Sequence, residues 1–113
     1  MSVSVSRLPV ETRYRLLKLL HEQPEITQRE LAGEMGVSLG KANYCLRALL
    51  DKGYIKARNF RNSRNRSAYA YILTPSGLTE KTRVTCRFLK QKMREYEELK
   101  AEIERLKLEA GSD

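Results

Sequence analysis

Between Thr27 and Leu73 the chain reads TQRELAGEMGVSLGKANYCLRALLDKGYIKARNFRNSRNRSAYAYIL, and the punctuation of this stretch leaves few folds open. Thr27 and Glu30 have the spacing of a capping box, in which the hydroxyl accepts from the Glu30 amide and the carboxylate reaches back. A short helix follows with Leu31, Ala32 and Met35 facing inward, and Gly36 can take the positive φ that ends a helix and turns the chain. Val37 would plug that turn. Ser38 is placed to cap a second helix running to about Lys52, whose Ala42, Leu46 and Leu49 recur at spacings of four and three. Beyond Gly53 the pattern changes to strands, Tyr54 to about Phe60 and Ser67 to Leu73, joined through Asn62, Ser63 and Asn65. Tyr69, Tyr71 and Leu73 alternate with Ala68, Ala70 and Ile72, which predicts a hairpin with two distinct faces.

The flanks supply scaffold and an extension. A first helix is expected from about Pro9 to Gln23, with an apolar side built from Leu16, Leu17, Leu19 and Leu20, stopped by Pro24. Thr74 and Pro75 pair an N-cap with a proline at the first helical position, opening a final helix to about Glu109. With Tyr96, Ile103 and Ala110 at heptad position a, Leu99 and Leu106 fall at d and Leu89 extends the seam backwards. Glu95, Glu102 and Glu109 then occupy g, and Lys100 and Lys107 occupy e. A parallel homodimer sets 95 against 100′ and 102 against 107′, whereas an antiparallel one sets like charges together. Parallel pairing is therefore expected, with the apolar residues holding the dimer, because exposed ion pairs are individually weak. Lys92 falls at d and interrupts the seam, so Phe88 and Leu89 are expected to pack on the head instead.

These elements predict a mainly α fold with a small β-hairpin wing: a winged helix-turn-helix over residues 1–75, a long dimerisation helix over 76–110 and a disordered tail at 111–113. With 113 residues and 41% apolar content, the chain suits one small globular unit plus an extension.

Charge is distributed unevenly along this scaffold. From Ser38 to Thr74 there are eight Lys/Arg and one acid, a net of +7 out of +8 for the whole chain. The excess thus sits on the second helix of the pair and on the hairpin, where a phosphate backbone would be met. The exposed face of that helix presents Ser38, Lys41, Asn43, Tyr44 and Arg47, side chains able to hydrogen-bond base edges, stack, or reach phosphates. Thr27, Gln28 and Arg29 begin the preceding helix beside it. Arg58, Arg61, Asn62, Arg64, Asn65 and Arg66 make up the wing set. Weighed against these assignments, Tyr44 could cover the head's surface, Asn43 could be merely solvated, and Tyr69 and Tyr71 are read as wing packing.

Several function classes fall away. No apolar run approaches the roughly 20 residues of a membrane helix, and the first residues lack a signal peptide's apolar block, so a cytoplasmic, nucleoid-associated protein is expected. Cys45 and Cys86 form no CxxC, and with His21 as the one histidine no metal or other cofactor is expected. Cys45 is read as a buried, inert thiol. One histidine, two aspartates and no phosphate-cradling glycine loop also argue against an enzyme. The expected function is a homodimeric, sequence-specific binder of double-stranded DNA that regulates transcription. Two alternatives stay open: a protein-interaction scaffold built on the winged helix and coiled coil, and a binder of structured RNA.

The motifs ITQRELAGEMGVSLGKANYCLRALLDKGYIK, NFRNSRNRSAYAYILTPSG and CRFLKQKMREYEELKAEIERL together make the chain resemble the winged helix-turn-helix regulators of the MarR type. It is similar in particular to their short branch associated with exopolysaccharide gene clusters. The resemblance covers about Leu16 to Leu106, and its more specific part is the wing exit Leu73-Thr74-Pro75-x-Gly77. It implies transcriptional control by a dimer whose two recognition helices enter successive major grooves, and a role at exopolysaccharide biosynthesis genes. Typical MarR proteins are longer and frame effector pockets with N-terminal helices that have no counterpart in this sequence, so no effector pocket is carried over.

Overall fold

The structure, a computed structural model, describes residues 4–111. A 3-10 turn, Val5–Arg7, precedes α1 (Val10–Glu22), α2 (Gln28–Met35), α3 (Leu39–Lys52), the antiparallel strands β1 (Ile55–Arg61) and β2 (Ser67–Leu73), and α4 (Pro75–Glu109). The molecule measures 66 × 28 × 27 Å, and its long dimension comes from α4. Of the tail assigned to 111–113, residues 112 and 113 lie outside the described residues, while Gly111 takes φ +73° just beyond the helix end. Among the described residues, no helix is long and apolar enough to cross a membrane.

The local signals act where the sequence places them. Thr27 Oγ1 accepts from the Glu30 amide at 3.0 Å and Glu30 Oε1 accepts from the Thr27 amide at 2.9 Å, completing the capping box. Those bonds to Thr27, its backbone amide first, hold the Glu30 carboxyl below its ordinary range. Gly36 ends α2 in the left-handed region at φ +67°, and Ser38 Oγ accepts from the Lys41 amide at 3.1 Å to start α3. At the other end of the head Thr74 Oγ1 accepts from the Gly77 amide and donates to the Gly53 carbonyl at 2.6 Å. One threonine therefore starts α4 and ties it to the end of α3.

The core is built from Leu16, Leu17 and Leu20 of α1, Leu31 and Met35 of α2, Ala42, Cys45, Leu46, Ala48 and Leu49 of α3, Ile55 and Tyr71 of the hairpin and Val84 of α4. Val5 and Leu8 join it through the 3-10 turn, an element absent from the sequence reading because two apolar residues show no period. β2 is also bonded on its outer edge, where the Tyr71 amide donates to the Pro24 carbonyl at 2.8 Å, so the turn that stops α1 is tied to the hairpin.

Three expectations change. The outgoing strand is shifted by one residue, Ile55–Arg61 rather than Tyr54 to Phe60. The hairpin does not divide into a buried and an exposed face: the neighbours Ala70 and Tyr71 are 2% and 8% exposed, whereas Tyr69 is 57% exposed. Burial instead is concentrated at Ala70 and Tyr71, where β2 is covered on both faces, while the outer half of the hairpin projects. Finally, Phe88 packs on the head, its ring 5.0 Å from that of Tyr14, but Leu89, one residue and about 100° further round the helix, is 58% exposed.

Candidate nucleic-acid interface

α3 owes its two faces to the spacing of its small and apolar residues. Ala42, Cys45, Leu46, Ala48 and Leu49 lie against the core, which leaves Lys41, Asn43 and Arg47 exposed and Tyr44 half-buried at the boundary. Lys41 Nζ sits 4.9 Å from the Tyr44 ring centroid, a cation–π contact that holds the ammonium over the exposed edge of the helix. Asn43 and Arg47, one turn apart, have side chains without partners among the described residues and are available to a ligand. Burial pushes the Cys45 thiol above its ordinary pKa, against the smaller opposing effect of the Lys41 charge. It stays protonated and unreactive at neutral pH.

The wing tip is organised by one side chain. Asn62 Oδ1 accepts from the Arg64 and Arg66 amides at 2.9 and 3.0 Å, while the Asn62 amide donates to the Arg66 carbonyl. Asn65 adopts φ +59°, a conformation that asparagine tolerates better than most residues. These contacts hold Arg64 and Arg66 splayed at the tip, their guanidinium groups exposed and unpaired among the described residues. Arg61 Nη1 donates to the Asn65 carbonyl at 3.1 Å, which fixes its direction and leaves its other N–H groups available.

The strand register sorts the remaining wing residues. Asn59 pairs with Tyr69 and Arg61 with Ser67, so these four share one face, whereas Lys56 and Arg58 lie on the other, opposite Ile72 and Ala70. The cations thus flank the wing on both sides. Tyr69, expected as packing, stacks on Tyr71 with ring centroids 6.5 Å apart and remains largely open to solvent beside Arg61. Lys56 and Tyr69 are the additions that the sequence assignment lacked, and they become visible only with the register known.

Not every sequence candidate keeps its hydrogen-bonding capacity. The side-chain oxygens of Ser38, Thr27 and Asn62 are engaged in caps and the turn. Gln28 Nε2 donates to the Tyr71 hydroxyl at 3.3 Å, which joins the start of α2 to the wing. Arg29 is exposed with no partner among the described residues. The start of α2, the outer face of α3 and the wing therefore present Arg29, Lys41, Asn43, Arg47, Lys56, Arg58, Arg61, Arg64 and Arg66. The one acid between Ser38 and Thr74, Asp51, lies in the last turn of α3. Among the described residues no group of three or more His, Cys, Asp or Glu could hold a metal ion.

A family model described as winged helix-turn-helix DNA-binding matches residues 11–56, which takes in α1, α2, α3 and the first residues of β1. No curated protein matches the chain. Among solved structures, a MarR family protein of Mycobacterium tuberculosis in complex with p-aminosalicylic acid is similar at a TM-score of 0.62 and 23% identity, covering 88% of this chain and 77% of that one. The FabT protein of Streptococcus pneumoniae in complex with DNA is similar at 0.56 and 22%, covering 93% and 75%. A MepR mutant from a Staphylococcus aureus clinical isolate is similar at 0.57 and 21%, covering 88% and 77%. At these identities the likeness is one of fold: a winged helix-turn-helix with a long C-terminal helix, as in MarR-type regulators.

Proposed function

We propose that this chain is a transcriptional regulator that binds double-stranded DNA as a homodimer, with α3 in the major groove and the wing against the adjacent backbone or an A·T-rich minor groove. The observation that carries this reading is the exposed set of cations on α3 and the wing, gathered on a winged helix and accompanied there by a single acid. A hairpin selected only for solubility would mix signs. Base reading falls to Lys41, Asn43 and Arg47, with Tyr44 offering its ring edge to thymine methyls, and the wing arginines take phosphates. The solved FabT structure, a protein of similar fold, is a complex with DNA, which supports DNA as the partner.

Support for the dimer comes from α4. Leu89, Tyr96, Leu99, Ile103 and Leu106 are between 43% and 61% exposed along one stripe, more apolar surface than a lone helix would leave in water. Within one chain Glu95 pairs with Lys92 at 3.1 Å and Lys107 with Glu104 at 3.4 Å. In a parallel dimer Glu95 and Lys107 exchange these contacts for Lys100 and Glu102 of the second copy. The similarity to the exopolysaccharide-associated branch makes the promoters of such gene clusters the first place to look for an operator.

Fluorescence anisotropy with one sequence prepared as duplex DNA and as duplex RNA tests the reading. A base-reading helix requires the wide major groove of B-form DNA, so the DNA is expected to bind more tightly across a salt series. Equal or tighter binding to RNA would overturn it.

A further inference from the structure

The charge on α4 is not mixed evenly. Lys81, Arg83, Arg87, Lys90, Lys92 and Arg94 give six bases and no acid from residue 81 to 94, whereas residues 95 to 109 hold six acids and three bases. Four of the six bases, Arg83, Arg87, Lys90 and Arg94, recur at spacings of four, three and four and so form one stripe along the helix. In the heptad register of the apolar seam they occupy positions b and f, facing away from the second copy.

The two halves of this helix act as mutual controls. In the second half both signs are interspersed, and Lys107 pairs with Glu104. In the first half Arg83 is engaged by Glu80, but Arg87, Lys90 and Arg94 are exposed with no partner among the described residues, and like charges at these spacings repel. They border a shallow cavity of about 260 Å³ that Val10 and Gln91 complete. α1 runs antiparallel along α4: Val10 lies beside Arg87 and Arg94, while Leu20 and His21 lie beside Leu78. The stripe is therefore at the far end of α1 from Pro24, Thr27 and the wing base, about 20 Å away for a helix of this length. It is therefore separate from the surface that the wing offers.

Resting on the reading of the head as a DNA-binding unit, we propose that Arg87, Lys90 and Arg94, with Arg83, form a second phosphate-binding surface that takes DNA flanking the operator. Because the stripe faces away from the seam, a dimer carries one copy on each outer flank, where DNA leaving the site on either side would pass if it bends toward the protein. From Arg83 to Arg94 the stripe is about 17 Å long, enough to follow several phosphates on one strand at roughly 3.4 Å of axis each.

The test uses the full-length chain and two duplexes sharing one central sequence selected from a random pool, of about 25 and about 60 base pairs, the shorter just holding two half-sites one turn apart. The longer duplex is expected to bind at least roughly tenfold more tightly at low salt, with a log–log salt slope steeper by about three per protomer. R87Q/K90Q/R94Q, checked for folding by circular dichroism, should abolish both differences and leave the short duplex bound as before. The proposal is overturned if the triple variant weakens both duplexes equally or neither. Poly-L-glutamate binding that the variant loses, without any gain on the longer duplex, would assign the stripe to an acidic polypeptide and also overturn it. Co-capture of two short duplexes by one dimer would overturn flanking contact in favour of bridging. If the unaltered chain fails to bind even the short duplex, the reading of the head falls, and this proposal with it.

Discussion

Arg13 of α1 donates from Nη1 to Glu80 Oε2 of α4 at 3.3 Å, with the two side chains only 9% and 4% exposed. Arg83 closes on the same carboxylate from the solvent side, with Nε donating to Oε1 at 2.6 Å and Nη2 to Oε2 at 2.7 Å. This network ties the long helix to the scaffold of the head. Removing one member of a buried pair strands the other, so Glu80→Ala should lower stability by about 3–5 kcal/mol, whereas Arg83→Gln, at a half-exposed site, should cost less than about 1 kcal/mol. Combining Arg13→Met with Glu80→Leu should recover most of the loss. Urea midpoints measure all three; a Glu80→Ala chain as stable as the parent would refute the role.

A methyl group on Gly77 would meet the Tyr54 carbonyl oxygen at 1.9 Å. That carbonyl already accepts from the Thr74 amide at 3.0 Å, so it cannot retreat without opening the junction of α3, wing and α4. Gly77→Ala should therefore cost at least about 1–3 kcal/mol, as overpacking does. Thr74→Ala, which removes the cap, should cost about 1 kcal/mol. Thermal unfolding ranks the two, and a Gly77→Ala chain that melts at the parental temperature would contradict the contact.

Replacing Arg61, Arg64 and Arg66 together by Gln should weaken binding to every DNA sequence and reduce the log–log salt slope by about two to three. Asn62→Ala should act in the same direction without removing a charge, because the turn that presents Arg64 and Arg66 hangs on its carbonyl oxygen. Titrations at several salt concentrations check both. An unchanged slope in the triple variant would remove the wing from the interface.

Lys41→Ala, Asn43→Ala and Arg47→Ala should alter the ranking of DNA sites rather than lower all affinities alike, with a base contact worth about 1–3 kcal/mol of discrimination. Competition among a small set of duplexes reads this out. Loss of one common factor across the set would make these residues backbone contacts.

Ending the chain after Met93 removes Tyr96, Leu99, Ile103 and Leu106 but leaves the Arg13–Glu80 junction intact. The expected product is a folded monomer with much weaker DNA binding, since two linked half-sites bind far more tightly than one. Light scattering decides the point: a dimer from the shortened chain would move the interface into the head.

What could be read from the sequence is what acts over a few residues. The Thr27–Glu30 box, the Ser38 and Thr74 caps and the turn at Gly36 each join residues three or so apart, and each signal is carried by residue types with one strong physical use. The exposed positions of α3 were legible for the same reason, since Ala42, Leu46 and Leu49 fix the helix phase and leave Lys41, Asn43 and Arg47 outside. Contacts that span the chain were not legible. Arg13 and Glu80 lie 67 positions apart, and Glu80 looks like any other helix glutamate until Arg13 is placed against it. The two-sided cover of Ala70 and Tyr71 depends on how the helices and Pro24 close around them, so alternation in β2 misled. In the candidate site, the sequence suggested the polar groups of Thr27, Ser38 and Asn62, but backbone amides within four residues claim their oxygens.

The most direct measurement is selection of duplexes from a random DNA pool by the purified chain at physiological salt, followed by sequencing of what it retains. The account predicts enrichment of an inverted repeat with half-sites about one helical turn apart, matching a two-fold dimer with two reading helices. Retention of DNA with no enriched motif, or no retention at all, would contradict it.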